Sequence, residues 1–258
     1  MNYLRHFSIL FSSCLLVLLC CIEAHPIEPT PTTCPSSIPV NTDSTVTLIF
    51  AGDMMGYAGQ YESAWNDSLK RYDYTPCFKF VKKYVSSADL ACINLEVPLA
   101  GAPYSTYPQF CSPDELLDGL QDAGFDLVFT ANNHVVDKGK KGLERTIDQL
   151  QLRHIPFAGS YKDTTQRDSL YPLIVDVKGL KIALLNCTYG TNGLKVHSPN
   201  CVNMVDTAQF AADIRKADEA GDYVKSPADY PILRQDSTDL MFFHEATLKR
   251  LHNMNLWQ

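Results

Sequence analysis

GFDLVFTANNHVVDKGKKG, Gly124 to Gly142, is the stretch on which the fold turns. Phe125 to Thr130 is an apolar run of strand length, and it stops at Ala131-Asn132-Asn133-His134, whose polar side chains cannot continue a core strand. Two amides and an imidazole thus arrive at a strand's carboxyl end. In open α/β sheets that edge collects ligands, because its loops face solvent over a rigid base. Asp137 follows three residues after His134, and Gly139 and Gly142 flank the start of a helix. Asn and Asp also favour ordinary turns, so the stretch alone leaves a structural reading open.

The flanking sequence repeats the pattern. Thr45 to Ala51 is a β-branched apolar strand running into Gly52-Asp53, and Asp89 to Leu95 is a second, with Asn94 near its end and Glu96 just after it. Met54 to Tyr74, with Tyr57, Tyr61, Tyr72 and Tyr74, reads as a loop. Thr75-Pro76 reads as a helix start, with Phe78, Val81 and Val85 on one face. Ser112-Pro113-Asp114-Glu115 reads as a capping box, followed by the apolar face Leu116, Leu117, Leu120 and Ala123 and a glycine stop at Gly124. Strands alternating with helices over short connections predict a largely parallel sheet. Asp53, then Asn94 with Glu96, then Asn133 with His134 would share one edge of it.

Downstream, Lys140 to His154 reads as a helix with Leu143, Ile147 and Leu150 inward. Ile155 to Gly159 is a short strand, and Tyr171 to Val177 with Leu180 to Leu185 forms a hairpin about Lys178-Gly179. Asn186 to Gly193 is a polar loop on the same candidate edge. Asp206 to Ala220 is a helix with Phe210, Ile214 and Ala217 inward.

The chain has 258 residues and is 45% hydrophobic, enough for one cored domain with tails. Its net charge is −7, with 29 acidic against 22 basic residues and no basic stripe, which argues against a nucleic-acid partner. Residues 1–24 read as a secretory signal, with Arg5, an apolar run from Ile9 to Leu19, and Ile22-Glu23-Ala24 as the cleavage site. That run is short of the about 20 residues a spanning helix needs. Uncleaved anchoring and lipid attachment at Cys20 or Cys21 are the alternatives, the latter disfavoured by bulky Leu19. Residues 25–44 hold five prolines among Thr and Ser and read as a stiff tether. Cys34, Cys77, Cys92, Cys111, Cys187 and Cys201 lie beyond the signal, an even set that permits disulfides without choosing among pairings. No CxxC pair supports a thiolate zinc site, and Cys92 and Cys187 read as small core residues.

Carboxylates, amides and an imidazole on one edge suit a divalent metal such as Mn, Fe, Zn or Mg. Asp53, Glu96 and the Asn133 carbonyl would be ligands, His134 an acid, and Asp137 either its orienting partner or a cap for the next helix. Asn94 and Asn132, on the same edge, are the candidate substrate contacts.

Gly52-Asp53, Asn94-Leu95-Glu96, Ala131-Asn132-Asn133-His134 with Asp137 and Gly139, Thr146 to Leu150 and Pro156-Phe157-Ala158-Gly159 together resemble the CapA-type capsule-synthesis (PGA_cap) family, over roughly Thr45 to Val224. That family is similar to calcineurin-like metallophosphatases. The resemblance implies a layered α/β sandwich with a two-metal site, in which Asp53, Glu96 and Asn133 match ligands and His134 the catalytic histidine. It also implies a part in the synthesis or export of an anionic surface polymer such as poly-γ-glutamate, at the cell envelope, beside the polymer and its synthesis machinery.

The sequence departs from the family after Gly221. Asp222-Tyr223-Val224 begins an apolar strand that Lys225-Ser226-Pro227 breaks, and the expected His-Trp-Gly and His-Pro-His motifs do not occur, so residues 225–258 read as a divergent tail on a fold incomplete at its carboxyl end. His244-Glu245 is not followed by the second histidine of HExxH, since Leu248 stands there. His197 and His244 are the remaining substitute ligands. Three readings compete: an exported accessory component of capsule synthesis, a metal-dependent phosphoesterase, and a truncated non-catalytic remnant.

Overall fold

The computed structural model describes residues 46–220. The segments read from sequence as a signal, a tether and a divergent tail, with Cys34 and His244, lie outside them. Strands β1 (Leu48–Met54), β4 (Leu90–Leu95), β5 (Leu127–Phe129) and β6 (Phe157–Ala158) form a four-stranded sheet in the order β1-β4-β5-β6, every pair parallel. Parallel neighbours need crossover connections. Here α3 (Glu115–Ala123) lies between β4 and β5, and α4 (Gly139–Leu152) between β5 and β6. The expected α/β architecture is thus the observed one. β4 and β5 are the central strands and are buried almost throughout, as the continuous apolar runs of a doubly covered parallel sheet require.

Helix α3 buries Leu116, Leu117, Leu120 and Ala123, and α4 buries Leu143, Ile147 and Leu150, as their 3.6-residue periodicity predicts. Gly124 ends α3 in the left-handed region at φ 97°. A Cβ there would lie 2.9 Å from the Ser86 Cα, so both backbone and space call for glycine. The Arg145 guanidinium holds both Asp114 oxygens at 2.6 Å, tying α4 to the start of α3. The expected capping box is absent. Ser112 is fully buried against Gly56 and its hydroxyl has no hydrogen-bond partner among the described residues, while Asp114 occupies the cap position.

The expected Met54–Tyr74 loop is structured. It holds α1 (Ala58–Ala64) and a small antiparallel pair, β2 (Trp65–Asn66) with β3 (Arg71–Tyr72). The helix expected from Thr75 is broken into a 3-10 turn, Thr75–Phe78, and α2 (Lys82–Val85). Phe78 and Val85 are buried, but Val81 is exposed. β7 (Ser160–Tyr161) pairs with β10 (Cys201–Val202), and β8 (Leu173–Val177) pairs with β9 (Leu180–Leu184) as the predicted hairpin, which forms its own two-stranded sheet.

Helix α5 (Thr164–Leu170), not anticipated, starts at Asp163, whose carboxylate accepts from the Gln166 N–H at 2.7 Å. Helix α6 (Thr207–Ala220) keeps Phe210 and Ala217 half-buried, as expected, but the buried position between them is Asp213, 2.7 Å from Arg167, and Ile214 is exposed. The five described cysteines are free thiols; Cys92 is buried, whereas Cys187 is only half-buried.

Candidate functional site

Strand β1 runs past its expected end, and a bulge between Ala51 and Asp53 resets the register so that Asp53 faces Asn94 of β4. One extra residue on a strand re-aims the next side chain, and here it turns the Asp53 carboxylate toward β4. The Asn94 amide donates to Asp53 Oδ1 at 2.8 Å and to Glu96 Oε2 at 3.0 Å, while its carbonyl accepts from Asn132 Nδ2 at 3.2 Å. Asn132, buried, also donates to the Leu95 carbonyl at 2.9 Å and accepts the His134 backbone N–H at 3.1 Å. Both amides are engaged with protein atoms, so in this arrangement they position their neighbours.

His134 is buried, and its Nδ1 lies 2.8 Å from Asp137 Oδ2. The same oxygen accepts the Phe110 N–H at 2.8 Å, and the Phe110 ring meets the imidazole edge-on at 4.8 Å. Asp137 therefore orients the imidazole and is not a helix cap; Lys138 precedes α4. A carboxylate on Nδ1 fixes the ring and leaves Nε2 as the nitrogen not held by Asp137. Among the described residues Asp137 Oδ1 is buried without a hydrogen-bond partner. Asn133 is half-buried and donates to Asn192 Oδ1 at 3.3 Å.

Glu96 is the electrostatic centre. Burial, the Asp53 carboxylate beside it and the nearby Asp137 push its carboxyl up to about 8, against a smaller opposing effect of the Asn94 amide. Two carboxylates held together out of water cannot both ionise cheaply without a counter-charge.

A second layer holds the loop that carries these groups. Asn186 Oδ1 accepts the Ala131 N–H at 2.7 Å, and its own N–H donates to the Tyr171 hydroxyl at 3.1 Å. Gly159 sits against this joint at φ 128°, where a Cβ would fall 2.2 Å from both the Ala131 nitrogen and Asn186 Oδ1. Gly159→Ala is expected to displace Asn186 from Ala131 at a cost of at least ~2 kcal/mol, lowering Tm by roughly 4–8 °C. Thermal unfolding followed by circular dichroism reads this; a Tm within a degree of wild type would contradict the packing. The polar loop Asn186 to Gly193 signalled Asn186 and Asn192 in the sequence. Phe110 gave no such signal, since it lies in an aperiodic segment.

The residues present complete only part of a two-metal centre. Asp53 and Glu96 offer adjacent hard oxygen donors, but among the described residues no group of three or more His, Cys, Asp or Glu side chains is placed to hold a metal ion. His197 is exposed and joins no such group. A cleft of about 420 Å³ lies elsewhere, between α5, α6 and β10, and contains none of the candidate site residues. Its charged Arg167 and Asp213 are spent on each other.

The profile of the family described as "Bacterial capsule synthesis protein PGA_cap" matches residues 47–226. The chain belongs to the PGA_cap family. The match starts at β1 and takes in every candidate site residue of the sheet edge. A similar protein is the "Capsule biosynthesis protein CapA" of Bacillus anthracis, 25% identical over 182 residues, which cover 67% of this chain and 41% of the relative. This PGA_cap chain thus spans about two fifths of the length of that relative.

Proposed function

We propose that this chain takes part in the synthesis or export of an anionic surface polymer, of which poly-γ-glutamate is the type, and that it works at the cell envelope through the sheet-edge site. The observation that carries the reading is the unbroken hydrogen-bonded series from Asp53 through Asn94 and Asn132 to His134 and Asp137. It spans the carboxyl ends of three parallel strands, where an α/β sheet presents its ligand site. His134 would hold or deliver a proton at Nε2 while Asp137 fixes the ring, and Asn94 with Asn132 would keep carboxylates and imidazole in register. Complementing a deletion strain tests this. Wild-type chain should restore surface polymer glutamate, and His134→Ala made at equal level should not; unchanged polymer after deletion would refute the role.

The carboxylate pair favours a second, narrower reading as a metal-dependent phosphoesterase. Asp53 and Glu96, with the Asn133 carbonyl, would hold one Mn, Fe, Zn or Mg ion, and such an ion supplies charge neutralisation for an anionic substrate. Metal analysis of the full chain grown with added manganese, zinc and iron separates the readings. Metal that is lost in Asp53→Asn but retained in His134→Ala supports the ion. Metal content equal in wild type and Asp53→Asn would leave the polymer role without a metal.

A further inference from the structure

From the end of the Thr75–Phe78 turn into α2, outside the sheet-edge site, the chain exposes three large apolar side chains. Phe80 is 79% exposed, Val81 46% and Tyr84 50%. Lysines are interleaved with them. Lys79 Nζ lies 5.8 Å from the centre of the Phe80 ring and Lys83 Nζ 4.6 Å from that of Tyr84. Lys82 is neutralised by Asp122 at 2.7 Å, whereas Lys79 and Lys83 form no ion pair among the described residues. Isolated exposed apolar residues need no explanation, but adjacent ones flanked by free ammonium groups do, in a chain of net charge −7.

The chemistry selects the occupant. Protein interface cores are depleted in lysine, and a soluble polyanion would engage the ammonium groups while leaving Phe80 and Val81 in water. A bilayer with anionic headgroups satisfies both: aromatic and aliphatic side chains seat at the acyl boundary, and lysines reach the phosphates. Position agrees. Thr47 donates its N–H to Asp89 Oδ2 at 2.9 Å and its carbonyl accepts the Asp89 N–H at 2.9 Å. The chain therefore enters the folded unit at Asp89, just beyond this segment in sequence, arriving from the part that carries the apolar run Ile9 to Leu19, which holds the chain at a membrane when it is left uncleaved.

We propose that Lys79, Phe80, Val81, Lys83 and Tyr84 form a contact patch for an anionic phospholipid bilayer. The contact is weak alone and effective when the chain is already held near that surface, because tethering raises the local concentration of membrane. It is independent of the sheet-edge chemistry.

The test places a reporter in the patch of the full chain as Phe80→Trp and records the emission added over the parent protein. Vesicles of brominated phosphatidylcholine with 30% phosphatidylglycerol should quench and blue-shift that emission. Adding Lys79→Gln and Lys83→Gln should weaken the apparent vesicle affinity roughly 30-fold at low ionic strength. An indole left unquenched in a protein with unchanged circular dichroism would overturn the proposal. Equal quenching by pure phosphatidylcholine vesicles would overturn its electrostatic half. A response to soluble poly-glutamate but not to vesicles would replace the bilayer with a polyanion.

Discussion

Glu96→Gln is expected to raise the unfolding free energy at pH 9 by roughly 3–5 kcal/mol and to leave it nearly unchanged at pH 4. The Glu96 carboxyl moves from an ordinary 4.5 to about 8 in the fold. Between those values the folded chain keeps a proton that the unfolded chain has released. The unfolded state then binds fewer protons, so stability falls as pH rises from about 4.5 and levels off above about 8. Glutamine imitates the protonated acid, donating toward Asp53 without ionising. The difference between the wild-type and Glu96→Gln stability curves, from urea titrations in EDTA across pH 4 to 9, isolates this group. Parallel curves would show that Glu96 is not held as the structure has it. Added divalent ions should narrow the gap at high pH by stabilising the ionised wild-type pair.

Asp213→Ala is the second large effect, a loss of about 3–5 kcal/mol. Arg167 is half-buried, with its NH2 2.7 Å from Asp213 Oδ2, its Nε 2.7 Å from Asn203 Oδ1, and its guanidinium 4.9 Å from the Tyr171 ring centre. Removing the buried Asp213 leaves the half-buried Arg167 with only the exposed Asp168 at 3.9 Å as a carboxylate partner among the described residues and releases α6 from α5. Against a total domain stability of about 5–15 kcal/mol, that unfolds a substantial fraction of the chain at 37 °C. The double variant Arg167→Met/Asp213→Leu should recover most of the loss, since apolar replacements avoid the desolvation of two charges. A single-variant loss under 1 kcal/mol in denaturant unfolding would count against the pair as a structural tie.

Residues 124–142 made the parallel sheet legible, because strand, polar stop and helix each left a periodic or compositional mark. Asn94, Glu96, Asn132, Asn133, His134 and Asp137 could be placed on one edge from that alone. How Asp53 turns toward Asn94 could not, since a bulge at Gly52 leaves the pattern of a strand unchanged. Helix α1 was hidden because seven residues reading AGQYESA are too short for a 3.6-residue period. One position on the inward face of α6, Ile214, was misread for a different reason. Periodicity ranks Ile214 above Asp213, and only tertiary structure reveals Arg167 waiting opposite. Ser112 likewise has the composition of a cap but lies too deep to act as one.

The Asn94 amide spends both hydrogens on carboxylates and its oxygen on Asn132, which in turn holds the backbone of His134. Carboxylate and imidazole are therefore not independent. Anything that binds Asp53 and Glu96 tightly enough to take their oxygens from Asn94 loosens the hold on His134, and the energetic interaction between the two ends is mutual. The factor by which a ligand at the carboxylates changes the affinity for a second ligand at the imidazole must equal the factor by which that second ligand changes the first one's affinity. A double-mutant cycle between Asp53 and His134, which share no hydrogen bond among the described residues, would read the interaction energy between the two ends.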